Sequence, residues 1–354
     1  MTRILFVEDE IDFCDRFTAE LKKIDKSLEV VDIRGFTAKV KGGGPIEEQF
    51  ADWVQGLETT SGSFGGALLD TDLSANREGV SQSLARQALH KLGIPTCRYS
   101  KKGTARDSDR LRLLKRFMSE GPQAVPFPPD INLAEDVSGA ASWSLKLFLS
   151  FADLARKAAS ARKKGDGPAS MLARALDEPD AEVDFAAYGE AYPYYFADLL
   201  QEDQGDGFHR RQHTQLGYWF VNCILAFPGP ILNSGAAAAV LGLPDGADVE
   251  SSEISAAVNS CRYKGPFWSL RLLFWRSKLL DLLDDQAFVT ALQSAYRSKG
   301  VEGDIRGLRY CLVQDKPMTG EQAPSRPDWI PAGAIESYIE RNLYTKLNPW
   351  IKDS

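Results

Sequence analysis

The chain has 354 residues, of which 44% are apolar, so it can build two or three domains with ordinary hydrophobic cores. Its net charge of −7 disfavours bulk attraction to nucleic acid, and no apolar stretch reaches the roughly 20 residues that a membrane span needs. The first ten residues, MTRILFVEDE, end in acidic residues and do not resemble a secretory signal. The five cysteines are far apart in sequence and include no CxxC pair. We therefore expect a cytoplasmic protein with reduced thiols, no zinc cluster and no membrane association.

Residues 3–130 alternate between strand-like and helix-like patterns. Short apolar runs predict strands at 4–7, 28–33, 66–69, 94–99 and 124–127. Apolar residues at helical spacing between them predict helices at 11–24, 46–57, 77–92 and 107–119. This alternation predicts the α/β class, with a doubly wound parallel five-stranded sheet covered by helices on both faces.

The rest of the chain is predicted to be mostly α-helical. A long connecting helix is expected over 131–164, and the following GDGP sequence favours a domain boundary at 165. Beyond it, the signal is mainly helical without notable strand alternation, and a polar, proline-rich loop is expected at 312–332. Helices are predicted at 169–177, 185–202, 209–226, 233–242, 250–261, 267–284, 286–298 and 333–346. The expected organisation is an α/β domain at 1–130, the connecting helix and a helical domain of unknown function at 165–354.

Acidic residues follow two of the predicted strands. Glu8 and Asp9 come directly after the first strand, and Asp70 ends the third. In an open α/β sheet, ligands bind at the carboxyl ends of the strands, where the strand order reverses. Clustered carboxylates repel one another unless a cation neutralises them, and their oxygens suit Mg²⁺. The pattern therefore predicts a magnesium site, at which a carboxylate can also act as a nucleophile toward a phosphoryl group.

The residues around these acids resemble the receiver domain of response regulators. The sequence ILFVEDE at 4–10 is similar to the first receiver strand with its acidic pair. The sequence LLDTDLS at 68–74 resembles the segment around the phosphorylated aspartate of that family. The resemblance implies a flavodoxin-like receiver fold over 1–130 and a two-component signalling phosphoprotein.

The resemblance also implies a role for each acid. Asp70 would be the phospho-acceptor, while Glu8 and Asp9 would hold Mg²⁺ with the backbone carbonyl of Asp72 as a further ligand. The Ser or Thr that receivers carry at the end of the fourth strand corresponds to Ser100.

The sequence departs from the receiver pattern after the fifth strand. Receivers carry a Lys there, whereas residues 124–129 read AVPFPP, and Ser74 replaces the usual Pro near the acceptor. Lys101 and Lys102, beside Ser100, are the alternative sources of positive charge. Because the missing Lys removes a preorganised charge from the site, a pseudo-receiver that keeps the fold without phosphotransfer is an alternative hypothesis.

Residues 101–116 form a strongly basic segment. In the family that this chain resembles, the fourth helix belongs to a face used for dimerisation or partner contact. The resemblance therefore implies partner binding, or a homodimer through 107–119, by the cations Arg110, Arg112, Lys115 and Arg116. A solvated helix face is the alternative interpretation.

Three further patterns are compatible with function but are better explained by structure. His209 and His213 are spaced for one helix face, yet two arginines between them disfavour a bound cation. Residues 233–261 could form a helix–turn–helix, but the second helix carries acidic and serine residues. Residues 266–284 mix aromatic and basic residues, as single-strand nucleic-acid binders do, although a buried helix explains them more simply.

We expect a cytoplasmic regulatory protein whose receiver-like domain controls a helical output or interaction domain. Its partner would be a histidine kinase or another protein, and its chemistry at most phosphoryl transfer to Asp70 with Mg²⁺. The alternatives are a pseudo-receiver scaffold that binds a protein without phosphorylation, and a receiver-gated effector of nucleic acid, which is the less favoured partner.

Overall fold

The structure of the chain is a computed structural model. It describes residues 3–38, 44–73, 78–100, 107–128, 131, 133, 135–161, 163, 166–197, 206–243, 249, 254–297, 308–322 and 326–347. These residues form two compact units that are not consecutive along the chain. The first unit comprises Met1–Ala105, Gly121–Arg162 and Pro193–Trp219. The second unit comprises Arg106–Glu120, Lys163–Tyr192 and Phe220–Ser354.

The first unit is built on five parallel strands, which confirms the predicted five-stranded parallel sheet. In chain order the strands are β1 (Arg3–Val7), β2 (Glu29–Asp32), β3 (Gly66–Asp70), β4 (Thr96–Tyr99) and β5 (Val125–Pro126). Their order across the sheet is β2-β1-β3-β4-β5, and every neighbouring pair is parallel. The order reverses between β1 and β3, which creates a crevice at the carboxyl ends of those two strands.

The five helices predicted within residues 3–164 are all present, with ends up to six residues from the predicted positions. They are α1 (Ile11–Ile24), α2 (Ile46–Ser61), α3 (Gln82–Lys91), α4 (Asp107–Ser119) and α5 (Val137–Ala161). Apolar side chains recur on one side of each helix; in α1, for example, Phe13, Phe17 and Leu21 are buried.

Helices cover both faces of the sheet. Successive side chains of a strand point to opposite faces. In β1, Leu5 and Val7 share a buried cluster with Phe50 of α2 and with side chains of α3. Phe6 faces the other side, where its ring centroid lies 5.2 Å from that of Phe17 in α1, and α5 packs against α1. The α/β class predicted from the sequence is therefore observed.

The helix predicted as a connector is a layer of the first unit. α5 packs against α1 and against a later helix of the same unit, and its apolar stripe includes the fully buried Leu147 and Leu154. A connector would expose most of its surface, whereas this stripe covers the sheet. The difference arises because periodicity shows that a helix has a buried face but not which surface buries it.

Residues 166–347 contribute nine shorter helices, counted within the described residues. These are α6 (Pro168–Ala175), α7 (Glu182–Ala186), α8 (Tyr192–Phe196), α9 (Asp206–Trp219), α10 (Ser234–Val240), α11 (Ser255–Ser260), α12 (Arg276–Asp284), α13 (Gln286–Arg297) and α14 (Arg341–Leu347). A π-helical turn, Phe220–Ile224, follows α9. None of the helices within the described residues is both long and apolar enough to cross a lipid bilayer.

The remainder of the chain is mostly helical, as predicted, but it also contains short strands that the sequence pattern did not show. The second unit contains β6 (Ile231–Asn233), β7 (Leu273–Trp275), β8 (Leu308–Cys311), β9 (Lys316–Thr319) and β10 (Ser337–Tyr338). β6 and β7 form an antiparallel pair, and the other three form a sheet in the order β10-β8-β9. Strands of two to four residues are too short to show alternation. Because the strand at Leu273–Trp275 is so short, the pattern over 267–284 predicts a single helix. The structure has a helix only over Arg276–Asp284.

Although α9 lies far along the chain, it docks onto the sheet of the first unit. The hydroxyl of Tyr218 accepts a hydrogen bond from the Thr96 backbone N–H at 2.7 Å, at the start of β4. Arg210 donates to both carboxylate oxygens of Glu58 in α2, at 2.8 and 2.9 Å. Gly217 allows the close crossing with α5, because a Cβ there would lie 2.3 Å from the Phe151 ring. The first unit is therefore incomplete without residues 206–219.

Four buried tyrosines make the fold sensitive to alkali. Burial raises the pKa of each phenol above its ordinary value: Tyr99, Tyr188, Tyr218 and Tyr310. A group with a raised folded-state pKa contributes stability below its unfolded pKa, about 10 for tyrosine, and loses it as pH rises further. We expect the free energy of unfolding to fall steeply above about pH 10.

A spectrophotometric titration of phenolate absorbance checks this expectation. In the native chain, part of the absorbance should appear only together with unfolding, whereas all eleven tyrosines should titrate as one group in denaturant. Full ionisation with an intact circular dichroism spectrum would contradict it.

Candidate functional site: an acidic cluster at the strand crossover

The acidic cluster lies in the crevice between β1 and β3. Leu69 of β3 is the register partner of Val7 of β1, so both strands end at the same level. Glu8 and Asp9 follow β1 directly, and Asp70 is the last residue of β3. The adjacent α1 begins two residues after Asp9, so its N-terminal backbone N–H groups favour negative charge at this edge.

The structure brings the three predicted carboxylates together. One oxygen of each of Glu8, Asp9 and Asp70 can be chosen so that all three lie within 4.8 Å of one another. Glu8 is 2% exposed and Asp70 is 1% exposed, whereas Asp9 is half-buried. Within the part of the chain that the structure describes, this is the one group of three or more such side chains that could hold a metal ion.

Glu8 is held in place by two hydrogen bonds. Its Oε1 accepts the backbone N–H of Glu10 at 2.7 Å, and its Oε2 accepts the hydroxyl of Tyr99 at 2.6 Å. Burial, and then the charge of Glu8, raises the pKa of Tyr99 well above its ordinary value, so the phenol stays protonated and donates. The orientation of Glu8 is thus fixed before any ligand arrives.

Sequence reasoning missed Tyr99. This residue ends β4, and its Cα is the register partner of the Asp70 Cα. A tyrosine that ends an apolar strand needs a partner for its hydroxyl when it is buried, and an acidic crevice at the same sheet edge supplies one. The sequence therefore shows that Tyr99 needs a hydrogen-bond partner, but only the strand order identifies Glu8 as that partner.

Asp72 and Ser100, the other described residues predicted for this site, lie beside the three carboxylates. The backbone N–H of Asp72 donates to Asp70 Oδ1 at 3.1 Å, and the Asp72 side chain is exposed. Ser100 is exposed and follows Tyr99 directly. Ser74, Lys101 and Lys102 lie outside the described residues.

The donor set fits a hard divalent cation. Three carboxylates supply oxygen ligands and a negative charge that a divalent cation would largely offset, and such a set with a few waters suits Mg²⁺ or Ca²⁺ rather than the softer metals. The arrangement therefore has the donor atoms that such a cation requires.

The basic helix α4 belongs to the second unit, although it follows β4 in sequence. It buries an apolar face, and the Sγ of Cys223, in the π-helical turn, donates to the Phe117 carbonyl at 3.5 Å. The buried residues of this face are Leu111, Leu114, Phe117 and Met118. The sequence predicted the buried face but assigned it to the sheet domain.

Two of the predicted partner-binding cations contact residues of the second unit itself. Arg110 forms an ion pair with Asp315 at 3.4 Å, and the Lys115 ammonium lies 5.6 Å from the ring centroid of Trp329. The ion pairs of the other two cations lie along the helix: Arg112 with Asp109, and Arg116 with Glu120. Arg112 is the most open of the four, with 74% of its side chain exposed.

Two other sequence candidates do not form a site within the described residues. His209 and His213 lie on α9, and neither belongs to a described group of three or more potential metal ligands. The turn of the helix–turn–helix candidate at 244–246 lies outside the described residues, and α10 before it is largely buried.

No family model, no curated protein and no solved structure matches this chain.

Proposed function

We propose that the first unit is a receiver-like regulatory module that binds Mg²⁺ at Glu8, Asp9 and Asp70. The observation that carries this proposal is the convergence of three carboxylates, from the ends of two neighbouring parallel strands, within 4.8 Å. The strand order, with its reversal between β1 and β3, supports the proposal, because ligands of open α/β sheets bind at such a point.

Electrostatics favours a cation at this cluster. Two of the carboxylates are almost fully buried, where charges are costly unless they are compensated. Bound Mg²⁺ would neutralise this charge and orient the oxygens of an incoming phosphoryl group. The protein itself orients one of the ligands, because the Tyr99 hydroxyl and the Glu10 N–H hold Glu8 in one orientation.

Asp70 is the proposed phospho-acceptor. One of its carboxylate oxygens would form the new O–P bond while the bond from phosphorus to the leaving group of the donor breaks, giving an acyl phosphate. The Asp72 N–H would steady Asp70, and Ser100 is the hydroxyl proposed to contact the phosphoryl group. A histidine kinase is the proposed donor, and the phosphorylated module would bias the state of the second unit.

A pseudo-receiver is the second candidate, and two observations favour it. Asp70 is 1% exposed, which restricts access for a phosphodonor. Residues 124–129 also lack the Lys that would meet the phosphoryl group. In this version the module binds a cation but transfers no phosphoryl group, and a protein partner or a second copy of the chain binds α4 through the exposed Arg112 and the partly exposed Arg116. In both versions the five free cysteines fit a reducing compartment, so we propose a cytoplasmic location.

Cation binding is tested by thermal unfolding of the full chain with increasing Mg²⁺. We expect the wild-type Tm to rise, since a ligand of the folded state stabilises it by about 2.7 kcal/mol at a hundredfold excess over Kd. Asp70→Asn should equal or exceed the wild-type Tm without Mg²⁺, because it relieves carboxylate repulsion, and should not respond to Mg²⁺.

The matched control is Asp52→Asn, at an exposed position on α2, which should respond to Mg²⁺ like the wild type. The proposal is refuted if the wild-type Tm does not change with millimolar Mg²⁺ or Mn²⁺, or if the Tm of Asp70→Asn responds as much as that of the wild type.

Phosphoryl transfer is tested with Mg²⁺ and acetyl phosphate. The receiver version expects a hydroxylamine-sensitive mass increase of one phosphoryl group on the wild type and none on Asp70→Asn. No label on a wild type that binds Mg²⁺ supports the pseudo-receiver, and equal labelling of Asp70→Asn excludes Asp70 as the acceptor.

A further inference from the structure

The second unit contains a basic, aromatic pocket that is separate from the acidic cluster. Its volume is about 450 Å³, within the range of small-molecule sites. The polar and aromatic residues that line it are Arg262, Tyr263, Lys264, Trp268, Ser269 and Arg271. The sequence interpretation assigned 267–284 to a buried helix, whereas residues 264–272 form a loop before β7.

A short antiparallel ladder closes this loop. The backbone N–H of Tyr263 donates to the Leu273 carbonyl, and that of Trp275 donates to the Cys261 carbonyl, both at 2.9 Å. The hydroxyl of Tyr263 reaches inward and donates to the Pro266 carbonyl at 2.8 Å. The base of the pocket is therefore fixed by backbone and buried side-chain hydrogen bonds.

Phe267 anchors the loop in an unusual backbone conformation. Its φ of 70° lies in the left-handed region, which a bulky side chain rarely adopts. Its ring is fully buried, with its centroid 5.7 Å from that of Phe220. This anchor holds the neighbouring Trp268 at the surface, where it is 58% exposed. Strain of this kind persists where the surrounding structure enforces it, and it clusters at ligand sites.

The pocket carries local positive charge on a chain that is acidic as a whole. Arg262, Lys264 and Arg271 line it, and none of the lining residues, all of which the structure describes, is Asp or Glu. Arg271 also donates to the Leu225 carbonyl, just after the π-helical turn, so its guanidinium is held in position. An anionic ligand would therefore meet cations with no competing carboxylate in the lining.

From these contacts we propose that the pocket binds a nucleotide unit. The base stacks on the exposed Trp268 indole, and the phosphate contacts Lys264 and the guanidinium groups of Arg262 and Arg271. Aromatic faces stack on any base, and Arg and Lys bind phosphate oxygens directly. The volume accommodates a base, a sugar and phosphates. The unit can come from a free nucleotide or from single-stranded nucleic acid, and the same contacts serve both sources.

The test uses the full chain at low salt with two probes. ATP binding is measured by isothermal titration calorimetry, with adenosine and pyrophosphate as partial ligands. Binding of a short fluorescein-labelled oligothymidylate is measured by fluorescence anisotropy, with unlabelled ATP as competitor. We expect at least one probe to bind, and we expect adenosine and pyrophosphate each to bind more weakly than ATP.

Two variants test the contributions of Trp268 and Lys264 to binding, and each has a matched control. Trp268→Leu should weaken binding by roughly tenfold or more through lost stacking, and Lys264→Gln should weaken it in parallel and reduce its salt dependence. Tyr194→Leu, an exposed aromatic outside the pocket, and Lys22→Gln, an exposed cation on α1, should bind like the wild type. Unchanged thermal unfolding of all four variants shows that each remains folded.

The outcomes distinguish a free nucleotide from single-stranded nucleic acid and also test the proposal itself. ATP binding without oligonucleotide binding identifies a free nucleotide, the reverse identifies single-stranded nucleic acid, and competition between them identifies one shared site. Absence of binding by both probes, or equal affinity of Trp268→Leu and wild type, overturns the proposal. Pyrophosphate binding as tight as ATP binding overturns it as well, because the base would then contribute nothing.

Discussion

Replacing Gly66 with alanine is expected to lower the free energy of unfolding by about 1–3 kcal/mol, the usual cost of overpacking a core. Gly66 begins β3, in the middle of the sheet, and α5 crosses directly over it. A Cβ at this position would lie 2.1 Å from Cδ1 of Phe148, whose ring is 1% exposed. Neither the strand nor the buried ring can move aside without disturbing its own neighbours. Chemical denaturation followed by circular dichroism measures the loss.

The chain offers both a matched control and a rescue. Gly56 lies inside α2, and a Cβ added to it would have no heavy atom within 4 Å. Gly56→Ala should therefore raise the free energy of unfolding by about 0.5–1 kcal/mol, as alanine is the better helix former. Phe148→Leu should restore part of the stability of Gly66→Ala, giving a coupling that a double-mutant cycle detects. A neutral Gly66→Ala, or strict additivity with Phe148→Leu, would contradict the close approach.

Cutting the chain at the predicted domain boundary should leave two fragments that do not fold alone. Fragment 1–164 lacks α9, with the Tyr218–Thr96 and Arg210–Glu58 contacts of the first unit. Fragment 165–354 lacks α4, which belongs to the second unit. Each fragment would expose the buried face that its missing helix covers. We expect neither fragment to show a cooperative thermal transition.

Co-expression is the informative measurement. If each unit needs a segment from both fragments, the two should co-purify at equal stoichiometry and regain a cooperative transition. A point variant supports the same conclusion: Tyr218→Phe removes the acceptor of the Thr96 N–H and should cost about 1–3 kcal/mol in the intact chain. A cooperative transition of fragment 1–164 by itself would refute this view of the fold.

The sheet and the acidic cluster could be predicted because local patterns determine them. Apolar runs marked the strands, and the rule that ligands bind where the strand order reverses predicted a site at Glu8, Asp9 and Asp70, provided that the strands before them are neighbours. The hydrogen bond from Tyr99 to Glu8 needs the strand order as well, since the two residues are 91 positions apart. The receiver resemblance stays a prediction, because convergence of carboxylates does not identify a family.

The sequence was less informative wherever long-range packing decides the structure. The spacing of Leu111, Leu114 and Met118 predicted a buried face on α4. A periodic pattern does not show, however, which surface that face packs against. Likewise the aromatic residues after Pro266 suggested a buried helix. The ladder between 261–263 and 273–275 turns them into a loop with one ring buried and the next exposed.

The interleaving of the two units has a consequence for protein synthesis. The sheet is complete when β5 has been made, at Pro126, but the helix that closes the first unit ends at Trp219. At about 5–20 residues per second, the ribosome needs several more seconds to deliver it. During that interval the nascent sheet carries an uncovered apolar surface. The order of translation therefore leaves this surface exposed until Trp219 has been made, and the first unit cannot finish folding before that point.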